Sequence, residues 1–114
     1  MKITPISKTI HKIDLPSHVD AQFAPEFNQA LDTLTNNHKS YAIVDLAEVT
    51  FIDSAGLGAL VRGMKHYRQR DGELYLVNVQ TPVRLLFEYT RMERAFKIFP
   101  TAADALADIH AENE

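Results

Sequence analysis

The sequence predicts an α/β domain built on a largely parallel sheet, with its N-terminal strands able to form an antiparallel edge. Two observations carry that prediction. Short apolar runs rich in β-forming residues alternate with segments of helical periodicity, and the junctions between them hold helix start and stop residues. At 114 residues there is room for one hydrophobic core but hardly for two, so a single domain is expected over 1–114.

The elements follow in chain order. "ITPISKTIHKIDLP", Ile3 to Pro16, alternates apolar and polar residues imperfectly and carries Pro5 and Pro16. It predicts one or two short strands at an edge, because proline cannot donate to an interior ladder. "PEFNQALDTLTNN", Pro25 to about Asn37, sets Phe27, Ala30, Leu31 and Leu34 at helical spacing, with Asn36 and Asn37 as the stop. "YAIVDL", Tyr41 to Leu46, reads as a central strand buried on both faces. After a connector, "AEVTFID", the segment Ser54 to Arg70 places Leu57, Leu60, Val61, Met64 and Tyr67 on one stripe and predicts a second helix, ended near Asp71 and Gly72. "ELYLVNV" is the next strand. Thr81 and Pro82 then supply an N-cap and a first-turn proline for a third helix to about Thr90. "FKIF", Phe96 to Phe99, is a last short strand, and Thr101 with Asp104 opens a closing helix in a capping-box arrangement.

Composition narrows function mainly by exclusion. Hydrophobic residues make up 46% and charged residues 24%, an ordinary globular balance, and the net charge of −3 argues against a phosphate-backbone partner. No direct nucleic-acid contact is expected. There are no cysteines, hence no disulfide, thiolate metal site or cysteine nucleophile. The start lacks the apolar core of a signal peptide and no run approaches the ~20 apolar residues of a membrane span. A cytoplasmic protein without membrane insertion is the expectation.

Sites in open α/β sheets gather where strand carboxyl ends meet the following helices, and "FIDSAGLGAL", Phe51 to Leu60, lies at such an end. It matches neither GxxxxGK[ST] nor GxGxxG, so no nucleotide cofactor is expected. Ile52, rather than glycine, stands two residues before Ser54, which argues against a hydrolase elbow. The five histidines, His11, His18, His38, His66 and His110, show no metal-ligand pairing. Asp45 or Asp53 could be a phosphoacceptor, but the acidic pair and late lysine that such chemistry uses are present only in fragments. No catalytic set emerges, and the chain is not expected to be an enzyme.

Asp53 and Ser54 remain. One of them can cap the helix by accepting from first-turn amides, a purely structural role. Gly56 and Gly58 can be explained as small residues that let the helix start close to the sheet, at a propensity cost of ~1 kcal/mol each. If Asp53 caps, Ser54 is displayed to solvent. A phosphate there would add about −1.5 to −2 charges where the helix dipole tolerates them, changing the surface while sparing the core. That would make a binding switch.

"VTFIDSAGLGAL", followed by "ELYLVNV" and "FKIF", resembles a STAS domain of the anti-sigma factor antagonist type, over roughly Ile10 to Ile109. "LPSHVDAQFAPEFNQAL" is similar to the family's segment in which an aspartate precedes the first helix: Asp20 holds that place, and Ser17 stands where glycine is common. The resemblance implies a mixed, mostly parallel sheet of four to five strands with about four helices packed largely on one side. It implies a partner rather than a substrate: an anti-sigma factor that is also a serine kinase of the histidine-kinase-like ATPase superfamily, and that owns the ATP site. It further implies that Ser54 is the phosphoacceptor, that a PPM-type serine phosphatase restores the binding form, and that Asp20, Asp53, Ser54, Ala55, Gly56 and Leu57 form the docking surface. Other members of the family serve lipid-transport or stress-signalling assemblies, and that binding role is the alternative. The basic residues Arg62, Lys65, His66, Arg68 and Arg70 on the second helix could meet an acidic partner or be simply solvated.

Overall fold

The computed structural model describes residues 1–36 and 38–113. Among them the chain forms β1 (Lys2–Pro5), β2 (Ile10–Asp14), β3 (His18–Val19), α1 (Ala24–Thr35), β4 (Tyr41–Asp45), β5 (Phe51–Ile52), α2 (Ser54–Arg68), β6 (Glu73–Val77), α3 (Thr81–Tyr89), β7 (Lys97–Phe99) and α4 (Ala102–Glu112), with a 3₁₀ turn at Met92–Arg94. The main sheet has the order β1-β2-β4-β6-β7. β1 runs antiparallel to β2 at the edge, with Pro5 opposite His11, and every other pairing in the sheet is parallel.

All five residues of β4 are buried, as the continuous apolar run predicts for a strand covered on both sides. Alternation of side chains then divides the core. Ala42 and Val44 of β4, with Leu74 and Leu76 of β6 and Ile13 of β2, join Phe27 and Leu31 of α1, Leu60, Met64 and Tyr67 of α2, and Val83 and Phe87 of α3. Tyr41 and Ile43, with Ile10, Tyr75 and Val77, meet Ala105 and Ile109 of α4. Three helices therefore share one face, and α4 covers the other. α4 is fastened by the Tyr75 hydroxyl donating to Asp108 at 2.8 Å and by Lys97 pairing with Glu112 at 2.6 Å.

Several boundaries differ locally from expectation. The connector before α2 contains β5, which pairs in parallel with β3 in a separate two-stranded sheet. Two residues are too few for a period to show in sequence. Thr81 is not the N-cap of α3: Gln80 holds that place, with no side-chain cap bond, while Pro82 lies in the first turn as expected. Asn36 ends α1 in the left-handed region with φ 38°, as the stop predicts, and Asn37 lies outside the described residues. Beyond α2 the positive φ, 63°, belongs to Asp71 rather than to Gly72. Gly72 is required for proximity instead: a Cβ there would lie 1.8 Å from the Ser40 carbonyl oxygen. At α4, Thr101 accepts from the Asp104 amide at 3.2 Å, and its hydroxyl donates to the Asp104 carboxylate at 2.9 Å. The expected cap is there, with the carboxylate taking the hydroxyl proton.

The α1–α2 seam holds a titratable group. Thr35 donates to the Leu31 carbonyl at 3.0 Å, so its oxygen accepts from Nε2 of His66 at 2.7 Å. Nδ1 of His66 faces the Arg70 guanidinium at 3.1 Å and acts as the acceptor, which assigns a neutral Nε2–H ring. Burial, then the charges of Arg70 and Arg62, lower the pKa of His66 against the opposing pull of Asp32. Just below the ordinary value of 6.5 the unfolded chain therefore takes up a proton that the native ring refuses, so this contribution to stability falls as pH falls. The melting temperature should drop between about pH 7 and pH 5, and His66→Gln should flatten that drop. Identical slopes in the two proteins would rule out His66 as the cause.

Candidate functional site

The carboxyl ends of β4 and β5 lead to the start of α2, where Asp53 has an extended backbone, φ −104° and ψ −178°, and serves as N-cap. Its two carboxylate oxygens go to different segments. Oδ1 accepts from the Gly56 amide at 2.8 Å, and Oδ2 accepts from the Ala21 amide at 3.3 Å. The Asp53 amide donates to the Val19 carbonyl at 3.2 Å, continuing the β3–β5 pairing. Asp20 is spent in the same way, its Oδ1 accepting from the Gln22 and Phe23 amides at 3.1 Å each ahead of α1. Asp53 thus holds the loop that follows β3 against the first turn of α2, and brings Asp20 beside the Asp53–Ser54 pair.

Ser54 is the first helical residue and is exposed, and among the described residues its hydroxyl has no hydrogen-bond partner. The amides of Ser54 and Ala55 precede the first intrahelical bond, which leaves donors and the positive end of the dipole beside the hydroxyl. Ala55 is exposed, Leu57 is half-buried against the core, and Gly56 is buried. A Cβ on Gly56 would stand 1.9 Å from the Val19 carbonyl oxygen, so this glycine does let the helix start against a strand. Gly58 does not: a Cβ there would meet nothing within 4 Å. Its propensity cost of ~1 kcal/mol has no packing return inside the chain.

The same end of the molecule displays Ser17 and two residues that sequence reasoning passed over, Phe51 and Gln80. Phe51 is 47% exposed, with its ring 5.7 Å from that of His18. The only sequence signal was a large apolar residue in a segment read as connector. Ser17 accepts at its carbonyl from the Thr50 and Phe51 amides, at 2.9 and 3.1 Å. Ser17 is not among the residues with positive φ, so its backbone asks for no glycine. Gln80 donates to the Ala47 carbonyl, tying the start of α3 to the loop after β4.

The arrangement presents an exposed Ser54 hydroxyl beside a capped helix start. Asp45 is buried and engaged by Lys12 at 3.1 Å, Asn78 at 3.0 Å and the Ala47 amide at 2.8 Å. Among the described residues no group of three or more His, Asp or Glu side chains could hold a metal ion, and no helix is long and apolar enough to cross a membrane. Of the basic residues on α2, Arg62 pairs with Asp32 at 3.2 Å, Arg68 forks onto the buried Glu73 at 2.6 to 3.0 Å, and Arg70 donates to His66. Lys65 makes no ion pair among the described residues.

Comparison with known proteins agrees with this architecture. The family model described as the STAS domain matches residues 2–105. An anti-sigma-B factor antagonist of Listeria monocytogenes is 34% identical over 86 residues, covering 75% of each chain. Among solved structures, the anti-sigma factor antagonist SpoIIAA in its unphosphorylated form superposes with a TM-score of 0.82 at 17% identity, covering 96% of both chains. The phosphorylated form of the Bacillus cell fate determinant SpoIIAA gives 0.74 at 16% identity, over 95% of this chain and 97% of that one. A family model spanning almost the whole chain and a fold that matches end to end lead to one conclusion: this chain belongs to the STAS domain family.

Proposed function

We propose that this chain is a cytoplasmic anti-sigma factor antagonist whose unphosphorylated form binds an anti-sigma factor and frees its sigma factor, and whose phosphorylation on Ser54 ends that binding. The observation that carries the reading is the division of labour at the start of α2. Asp53 is consumed as cap and loop anchor, while Ser54 beside it is exposed and has no hydrogen-bond partner among the described residues. The relatives' names support the class of function, and SpoIIAA has been solved with and without phosphate.

In this reading the anti-sigma factor is itself the serine kinase, of the histidine-kinase-like ATPase type, and a PPM-type phosphatase reverses the mark. Asp20, Asp53, Ser54 and Ala55 meet the partner, with Leu57 at their edge and Gly56 shaping the surface from beneath. A phosphate on Ser54 adds about −1.5 to −2 charges next to two carboxylates that are already fixed in place. The helix start accommodates it and the partner's face does not.

Incubating the chain with ATP and its cognate anti-sigma factor kinase, then mapping phosphate by mass spectrometry, should place a single phosphate on Ser54. Modification only elsewhere, or none by any cognate kinase, would sink the reading.

A further inference from the structure

Gly58 is exposed, costs helix stability, and has open space where a side chain would project. A helix-weakening residue without an internal reason points to a contact made outside the chain. Its surroundings agree. Gly58, Val61, Arg62, Lys65 and Gln69 line an open depression of about 490 Å³ on the outer side of α2. At 3.6 residues per turn these positions and Ser54 fall within a roughly 100°-wide arc of the helix. Ser54 lies one turn before Gly58 on that same face, next to the depression rather than in its lining.

Its chemistry is also defined. Val61 gives an apolar floor beside the gap at Gly58, and is partly buried against the core. Lys65 carries a charge without an ion pair among the described residues, and Arg62 is exposed and shares only Asp32. The face is basic at one end and notched in the middle.

We propose that the partner's footprint runs from Ser54 along this face of α2 to Lys65, and that the partner surface lying there is acidic and seats an apolar side chain in the notch above Gly58. The proposal rests on the anti-sigma factor reading and adds to it the extent and chemistry of the docking face. Charge complementarity selects the occupant: Lys65 offers long-range attraction to carboxylates, while the notch admits a side chain that a bulkier residue at position 58 would exclude.

The test measures binding of the cognate purified anti-sigma factor kinase to the wild-type chain, Gly58→Leu, Lys65→Glu and Ser54→Asp, with a melting curve for each. Gly58→Leu should melt at or above the wild-type temperature and bind at least about tenfold more weakly. Lys65→Glu should fold unchanged and bind about three- to tenfold more weakly at low salt, the loss shrinking as salt rises. Wild-type affinity in both, with Ser54→Asp impaired, would overturn the extended footprint and leave the Ser54 reading standing. Tighter binding by Lys65→Glu would overturn the acidic chemistry, and a lowered melting temperature for Gly58→Leu would show that the notch is filled from within. If Ser54→Asp also binds like the wild type, the functional reading falls and takes the footprint with it.

Discussion

Ser54→Asp is expected to lose at least about tenfold in affinity for the anti-sigma factor, some 1.4 kcal/mol, while the fold gains a few tenths of a kcal/mol. The two effects have opposite signs for one reason. An acidic side chain at the first position of α2 faces unpaired amides and the positive end of the helix dipole, which stabilises it. The same charge stands beside Asp53 and Asp20 on the proposed docking surface, where like charge and unshared desolvation oppose docking. Ser54→Ala should bind within about threefold of the wild type, because the hydroxyl has no partner to lose among the described residues. Isothermal titration with parallel melting curves reads both quantities, and an Asp variant that binds as tightly as the wild type would count decisively against the switch.

Gly56→Ala should be the most damaging single-methyl addition at the site. Its Cβ would approach the Val19 carbonyl oxygen to 1.9 Å and the carbonyl carbon to 2.6 Å, and both are backbone atoms of a paired strand. Nothing there is a flexible side-chain end that can swing aside, so α2 or β3 must shift. A net loss of about 3 kcal/mol is expected even after the helix-propensity gain of about 1 kcal/mol, a fall of roughly 10–20 °C in melting temperature. Denaturant unfolding of Gly56→Ala beside Gly58→Ala makes the comparison. The first should be much less stable than the wild type and the second as stable or more so, and equal stabilities would refute the close-contact account.

Those two glycines show where sequence reading succeeds and where it stops. Both sit in the first turns of α2 and both cost propensity, so in the sequence they invite one explanation. Whether a Cβ would strike a strand or open space depends on β3 and β5, whose two-residue pairing has no periodicity to find. The large elements were legible because each carries its own local signal: the unbroken apolar run of β4, the stripe on α2, the cap at Thr101. A cap at Asp53 or Ser54 was legible for the same reason, since a cap is a contact over three residues, and the structure assigns it to Asp53. The Asp53 bond to Ala21, the exposure of Phe51 and the placement of α4 alone on its face are all long-range outcomes. They are set by how elements meet rather than by what each one is.

One carboxylate, that of Asp53, restrains two amides that lie far apart in the chain, at Ala21 and Gly56. Swinging the loop after β3 away from α2 would cost the Ala21 amide its acceptor. In the proposed switch, a phosphate at Ser54 would therefore act on the partner through charge and shape rather than through a displaced loop. The timing of the proposed switch would then rest with the enzymes that add and remove the phosphate.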